Sequence, residues 1–142
     1  MAMIGQATTL PELVTPLTDA INRARIEHGV PALLPWSPLF ATASEKALDM
    51  AHGGYFDHYS PHLGRFGDQI RAAKLPARSW AENLGLFPLG VEGRAIVDGW
   101  LESPSHREAL LSRCYTHVGV GTARAIMRYE RYRPPIRGVS RY

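Results

Sequence analysis

Apolar residues recur at spacings of three and four along the first part of the chain, which is the pattern of a helix that buries one face. The pattern predicts a helix over residues 11–28. Two starting points are compatible with this pattern: a capping box of Thr9 with Glu12, and a later start at Pro16. We favour the later start. The apolar face comprises Leu13, Leu17, Ala20, Ile21 and Ala24.

A second helix is marked at both ends. Ser37 is the predicted N-cap, Pro38 follows it, and Gly53 with its glycine neighbour ends the helix. Shorter helices are predicted at residues 67–74, 91–101 and 106–111. Ser105 is the predicted cap of the last one, and residues 116–123 alternate as a strand does. Helices followed by a late strand indicate an α+β fold in which helices cover a sheet.

Length and composition set limits on this picture. The chain has 142 residues, 45% of them apolar, as expected for one globular domain. No apolar run reaches the roughly 18 residues of a membrane span, and residues 1–6 lack the features of a signal peptide. A single cysteine, Cys114, excludes an intrachain disulfide and a multi-cysteine zinc site, and we expect it to be a buried small hydrophobic residue.

Most of the positive charge is confined to one end of the chain. Residues 124–142 contain six arginines and one acid, Glu130, which gives +5, so the rest of the chain carries −2 of the total +3. Such a tail attracts anionic lipid, cell wall or nucleic acid, or is simply a solvated end. We favour the solvated end, and nucleic acid is not the expected partner.

Candidate chemistry centres on histidine and glutamate. His58 and His106 each lie beside a proline-containing break, a position that places side chains at the edge of a cleft. Glu82 lies in a short apolar run, where a carboxylate is costly to bury without a partner. A nearby imidazole would satisfy it, either as a purely structural pair or as part of a functional cleft, and the residues alone leave both readings open. No His-Glu-x-x-His sequence occurs, which excludes a zincin mechanism.

Several ordered motifs together resemble the CAP superfamily, which includes cysteine-rich secretory proteins, antigen 5 proteins and pathogenesis-related proteins. The resemblance is greatest to its bacterial SCP-like branch. The motifs are residues 21–29, His58-Tyr59-Ser60-Pro61, Ala81-Glu82-Asn83, residues 100–106 and Val118-Gly119-Val120-Gly121. The resemblance divides the chain into an N-terminal extension at 1–11, a CAP domain at 12–123 and an atypical basic segment at 124–142.

The resemblance implies an α-β-α sandwich with a central antiparallel sheet, and a cleft where histidines and acids meet. By this resemblance, the family's two cleft histidines correspond to His58 and His106, and its first acid corresponds to Glu82. Ser103 occupies the position where eukaryotic members have a second acid. The loss of that acid weakens metal binding, so any Zn²⁺ held by His58 and His106 would be weakly bound. The resemblance also implies export to the cell envelope or the extracellular space. The last strand is altered or missing, which would leave a sheet edge through which the chain dimerises or aggregates.

Three functions are compatible with these residues. We favour a binding module whose cleft takes a divalent metal or a small polar or lipidic ligand without turnover. The first alternative is a hydrolase in which a histidine acts as general base, Glu82 orients it and Ser103 is the nucleophile. Ser103 lacks a nucleophile elbow, so an enzyme is the less favoured interpretation. The second alternative is a surface domain whose arginine tail binds an anionic polymer in a salt-dependent manner.

Overall fold

The computed structural model describes residues 8–125, and within that range helices dominate, with short strands before, between and after them. In chain order the elements are β1 (Thr8–Thr9), α1 (Pro11–Glu27), β2 (Leu34–Pro35), α2 (Ser37–Gly53), α3 (Phe66–Ala72), α4 (Gly93–Leu101), α5 (Pro104–Leu111), β3 (His117–Val118) and β4 (Ala123–Arg124). The α+β class is confirmed.

The predicted late start of the first helix is wrong. Helix α1 begins at Pro11 with Leu10 as its N-cap, and Pro16 lies inside the helix. Proline there removes one backbone hydrogen bond. The extra first turn brings Leu13 into contact with the core, and this burial offsets the missing bond.

The two predicted serine caps are each displaced toward the N-terminus. Trp36 rather than Ser37 is the N-cap of α2, and Ser103 rather than Ser105 is the N-cap of α5. Neither helix has a side-chain capping bond, and a proline in the first turn of each leaves one fewer backbone N–H to satisfy. The predicted glycine stop of α2 is confirmed, with Gly54 in the left-handed conformation.

The continuous strand predicted over residues 116–123 is wrong, because the segment forms two short strands separated by residues 119–122. Strand β4 pairs antiparallel with β1, and β3 pairs parallel with β2. A Cβ atom added at Gly119 or Gly121 would overlap the backbone of α2. The segment therefore lies directly against that helix.

The core lies on the other side of this segment, where α1 packs against α4 and α5. It is formed by Leu17, Ala20, Ile21, Ala24, Leu33, Ile96, Val97, Trp100, Leu110 and Val120. Strand β1 pairs with β4, so the backbone of Thr8 and Thr9 joins this end of the domain while their side chains are exposed. Cys114 is exposed, so the prediction that it is buried is wrong.

Within residues 8–125 no helix combines the length and the apolar character that crossing a bilayer requires. The segment in which the last strand is predicted to be altered or missing, and with it most of the basic segment at 124–142, lies outside the described residues.

Candidate functional site

The structure brings His58 and Glu82 into direct contact. His58 lies in the loop that follows α2, and Glu82 lies in an extended segment between α3 and α4. Their atoms Nδ1 and Oε1 are 2.8 Å apart, with 27% of the histidine side chain and 14% of the glutamate side chain exposed. An ionised carboxylate only accepts hydrogen bonds, so Nδ1 carries the proton and the ring is held in one tautomer. The pair is half-buried, as expected at the wall of a cleft.

His106 lies in the first turn of α5 and is buried, with 5% of its surface exposed. Burial lowers the pKa of its imidazole, and the nearby charge of His58 lowers that pKa further. The two imidazoles are therefore within electrostatic reach of each other.

The segment that carries Glu82 is fixed from both sides. The next residue, Asn83, donates from Nδ2 to the backbone oxygen of His106 at 3.0 Å. Trp100 of α4 donates from Nε1 to the backbone oxygen of Leu84 at 2.9 Å. Asn83 thus ties the Glu82 segment to the start of α5, and Trp100 ties it to the core.

Ser103, the nucleophile of the hydrolase alternative, lies at the start of α5, three residues before His106. It is the N-cap residue of α5 and is half-buried. In the part of the chain that the structure describes, its hydroxyl makes no hydrogen bond with either imidazole. Serine hydrolases need a base within hydrogen-bond reach of the hydroxyl, although such bonds are often long before substrate binds.

The arrangement does not assemble a three-ligand metal site. Between residues 8 and 125 no group of three histidine, cysteine, aspartate or glutamate side chains is placed to hold an ion. His58, Glu82 and His106 therefore do not converge on one coordination point. The carboxylate instead orients one imidazole, which is the usual role of a residue behind a metal ligand.

Sequence reasoning missed two charged residues of α2 that contact the His58 loop. Lys46 is buried, and its Nζ donates to the backbone oxygen of His58 at 2.8 Å. Asp49 accepts hydrogen bonds from three side chains of the same loop. A signal was present in the sequence, because Lys46 falls three residues after Ala43 on the apolar face of the helix, where a charge is expensive to bury.

A large apolar cavity adjoins the segment that carries Glu82. It has a volume of about 1130 Å³ and lies between α1, α2 and the segment before α4. Lys46, Glu82 and Asn83 line it, whereas the two imidazoles do not. Its apolar lining includes Leu13, Leu17, Ala43, Ala47, Met50 and Phe87. The cavity therefore reaches the His58–Glu82 pair from the side of the glutamate.

Fold and sequence together define the class of protein. Residues 18–126 match the model of the cysteine-rich secretory protein family, called CAP. This match covers more than half of the chain, and the chain belongs to that family.

Relatives and solved structures agree with the assignment. The chain is 37% identical over 109 residues to the uncharacterized membrane protein YlbC of Bacillus subtilis (strain 168), covering 76% of this chain and 31% of that one. It is 30% identical over 105 residues to the uncharacterized protein YkwD of the same strain, covering 74% of this chain and 40% of that one. The chain thus spans well under half the length of these curated relatives.

Two solved structures share the fold. One is a crystal structure of an extracellular protein containing a SCP domain from Bacillus anthracis str. Ames, with a TM-score of 0.73 and 29% identity over 82% of this chain and 41% of that one. The other is an outer surface protein from Borrelia burgdorferi, with a TM-score of 0.63 and 22% identity over 80% of this chain and 84% of that one. The second likeness concerns the fold alone.

Proposed function

We propose that this chain is an exported CAP-domain binding protein that takes an amphipathic ligand. The polar end of the ligand contacts the cleft of His58 and Glu82, and its apolar part enters the adjoining cavity. The observation that carries the proposal is that Glu82, the hydrogen-bond partner of His58, lines the cavity together with Asn83. Export is supported by the structural neighbour described as an extracellular protein containing a SCP domain.

The dimensions and the rim of the cavity favour a lipidic ligand. Ligand pockets typically have volumes of about 300–1,000 Å³ and are lined by apolar residues around a few polar groups. The cavity, at about 1130 Å³, accommodates a long acyl chain. Leu86, Phe87 and Leu89 line it and are 42%, 39% and 68% exposed, so an apolar chain meets an apolar rim.

Binding of a fluorescent fatty acid, cis-parinaric acid, tests the proposal. We expect saturable binding to the wild type and at least a tenfold weaker affinity for Ala47→Trp, because the indole fills part of the cavity. Ala41→Trp is the matched control, since Ala41 is exposed on the same helix and does not line the cavity. Equal affinities of the two tryptophan variants would remove the cavity from the proposal.

Weak Zn²⁺ binding is the second candidate, and the hydrogen bond from His58 to Glu82 favours it. His58 and His106 would hold the ion, and Zn²⁺ would supply a Lewis acid that polarises an oxygen of the ligand. With fewer than three protein ligands, we expect low affinity.

Zn²⁺ titration by calorimetry tests this second candidate separately. Saturable binding should be lost in His58→Ala and in His106→Gln and should persist in His52→Ala, whose histidine is exposed at the end of α2. A wild type that takes up no Zn²⁺, or binding that persists in both cleft variants, would rule out the metal and leave the fatty acid experiment unaffected.

A further inference from the structure

We infer that Lys46 and Asp49 of α2 are positioning residues that hold the His58 imidazole in place for the binding site. This inference rests on the proposed function, because it concerns the same cleft. It extends the proposed function by naming the residues that fix the position of His58, the side chain proposed to contact the ligand.

Lys46 fixes the backbone of His58 itself. Its side chain is 3% exposed, and Nζ donates to the backbone oxygen of His58 at 2.8 Å. The same ammonium group lies 5.5 Å from the ring centre of Tyr55, three residues earlier in the loop. Burial lowers the pKa of Lys46, and the carboxylates of Glu82 and Asp49 oppose that shift. Lys46 is therefore coupled electrostatically to the carboxylates of this region as well as bonded to the His58 backbone.

Asp49, one turn further along α2, fixes the loop on both sides of His58. Its carboxylate accepts hydrogen bonds from the Tyr55 hydroxyl, from Ser60 Oγ and from His62 Nδ1. Ser60 is fully buried, and its Oγ in turn accepts from the backbone N–H groups of His62 and Leu63. Residues before and after His58 are thus attached to one carboxylate.

Together these contacts leave His58 little freedom beyond its own side-chain torsions. Its carbonyl is held by Lys46, its flanking residues are held by Asp49, and its Nδ1 is held by Glu82. A site that is ordered before the ligand arrives loses less entropy on binding.

Ring nitrogen NMR of the ligand-free protein tests the inference. In the wild type we expect His58 to give separate pyrrole-type and pyridine-type ¹⁵N resonances, as a single tautomer bonded to Glu82 does. Lys46→Met keeps the length of the side chain and removes the donor, and we expect the two resonances to converge. Lys46→Arg restores a cationic donor and should restore the separation.

Asp49→Asn is the second variant, and it should produce the same convergence because the amide replaces an acceptor by a donor. Asp19→Asn and Lys74→Met, at exposed positions on α1 and after α3, are the matched controls and should leave the His58 signals unchanged. Thermal unfolding of each variant establishes that the comparison is made between folded proteins.

Ligand affinity provides the second readout. Removing a group that orients a metal-ligating side chain typically lowers metal affinity by about tenfold or more. Zn²⁺ binding should therefore weaken by about that factor in Lys46→Met. Wild-type His58 resonances in folded Lys46→Met and Asp49→Asn proteins would overturn the inference. If the two resonances converge in the variants but the wild type binds no Zn²⁺, the positioning role of Lys46 and Asp49 is supported. Only the proposal of a Zn²⁺ site is then contradicted.

Discussion

Arg25 is the residue whose replacement should most weaken the framework behind the site. It lies on α1 with 1% of its surface exposed. Its guanidinium donates to the backbone oxygens of Pro31 at 2.8 Å, Leu110 at 2.7 Å and Ser112 at 3.1 Å. The last two carbonyls lie at the C-terminal end of α5, where a cation also favours the helix dipole. Arg25 thus joins α1 to the helix that begins beside His106.

Arg25→Met keeps most of the apolar stem and removes all three donors. Hydrogen bonds to a charged group contribute about 1.5–3 kcal/mol each, and a buried acceptor left without a partner adds a penalty. Part of that loss is recovered, because the methionine does not bring a charge into the interior. We expect a net decrease of about 2–4 kcal/mol in the free energy of unfolding. For a chain of this length that corresponds to a melting temperature lower by about 6–14 °C.

Urea denaturation followed by circular dichroism measures this change directly. Arg23→Met is the matched control, because Arg23 is exposed on the same helix two residues away. A decrease below about 1 kcal/mol for Arg25→Met, or equal decreases for the two variants, would refute the assignment of Arg25 as a buried connection between α1 and α5.

Three further predictions concern the packing and the titration of the site. Gly121→Ala should lower the free energy of unfolding by about 1–3 kcal/mol in denaturant titrations, since its Cβ would overlap the backbone of Ala43. Burial and the charge of His58 lower the pKa of His106, so the unfolded chain binds more protons and stability should fall as pH drops through about 6.5. This loss, measured by melting at a series of pH values, should be smaller in His106→Gln. Burial and a hydrogen bond to a carboxylate raise the pKa of Tyr55 to about 12, so Tyr55→Phe should remove a late step from the ultraviolet titration.

The helices and the family could be predicted from the sequence because their signals are local. The apolar spacing and the glycine stop placed α2 to within a residue. The resemblance to the family was visible from short motifs such as the one around His58. The start of α1 was misplaced because Pro16 is a strong local signal. The gain from packing Leu13 on the core is not local, and it outweighs that signal.

The geometry of the site was predictable only in part. A carboxylate in an apolar run needs a partner, which pointed from Glu82 to a histidine, and the structure pairs it with His58. The sequence did not indicate that Asn83 would tie the Glu82 segment to the backbone of His106. That outcome depends on how α5 approaches the Glu82 segment, which no single stretch of sequence encodes.

By itself, the sequence determined which segments form helices, which family the chain resembles and which residue types are available for chemistry, since each of these depends on neighbours along the chain. Only the tertiary structure decided that Lys46 and Asp49 face the His58 loop, that Cys114 is exposed and that an apolar cavity adjoins Glu82. The physical reason is that burial, hydrogen-bond partners and cavities arise from contacts between segments that are distant in the sequence. Those contacts are set by packing the whole domain.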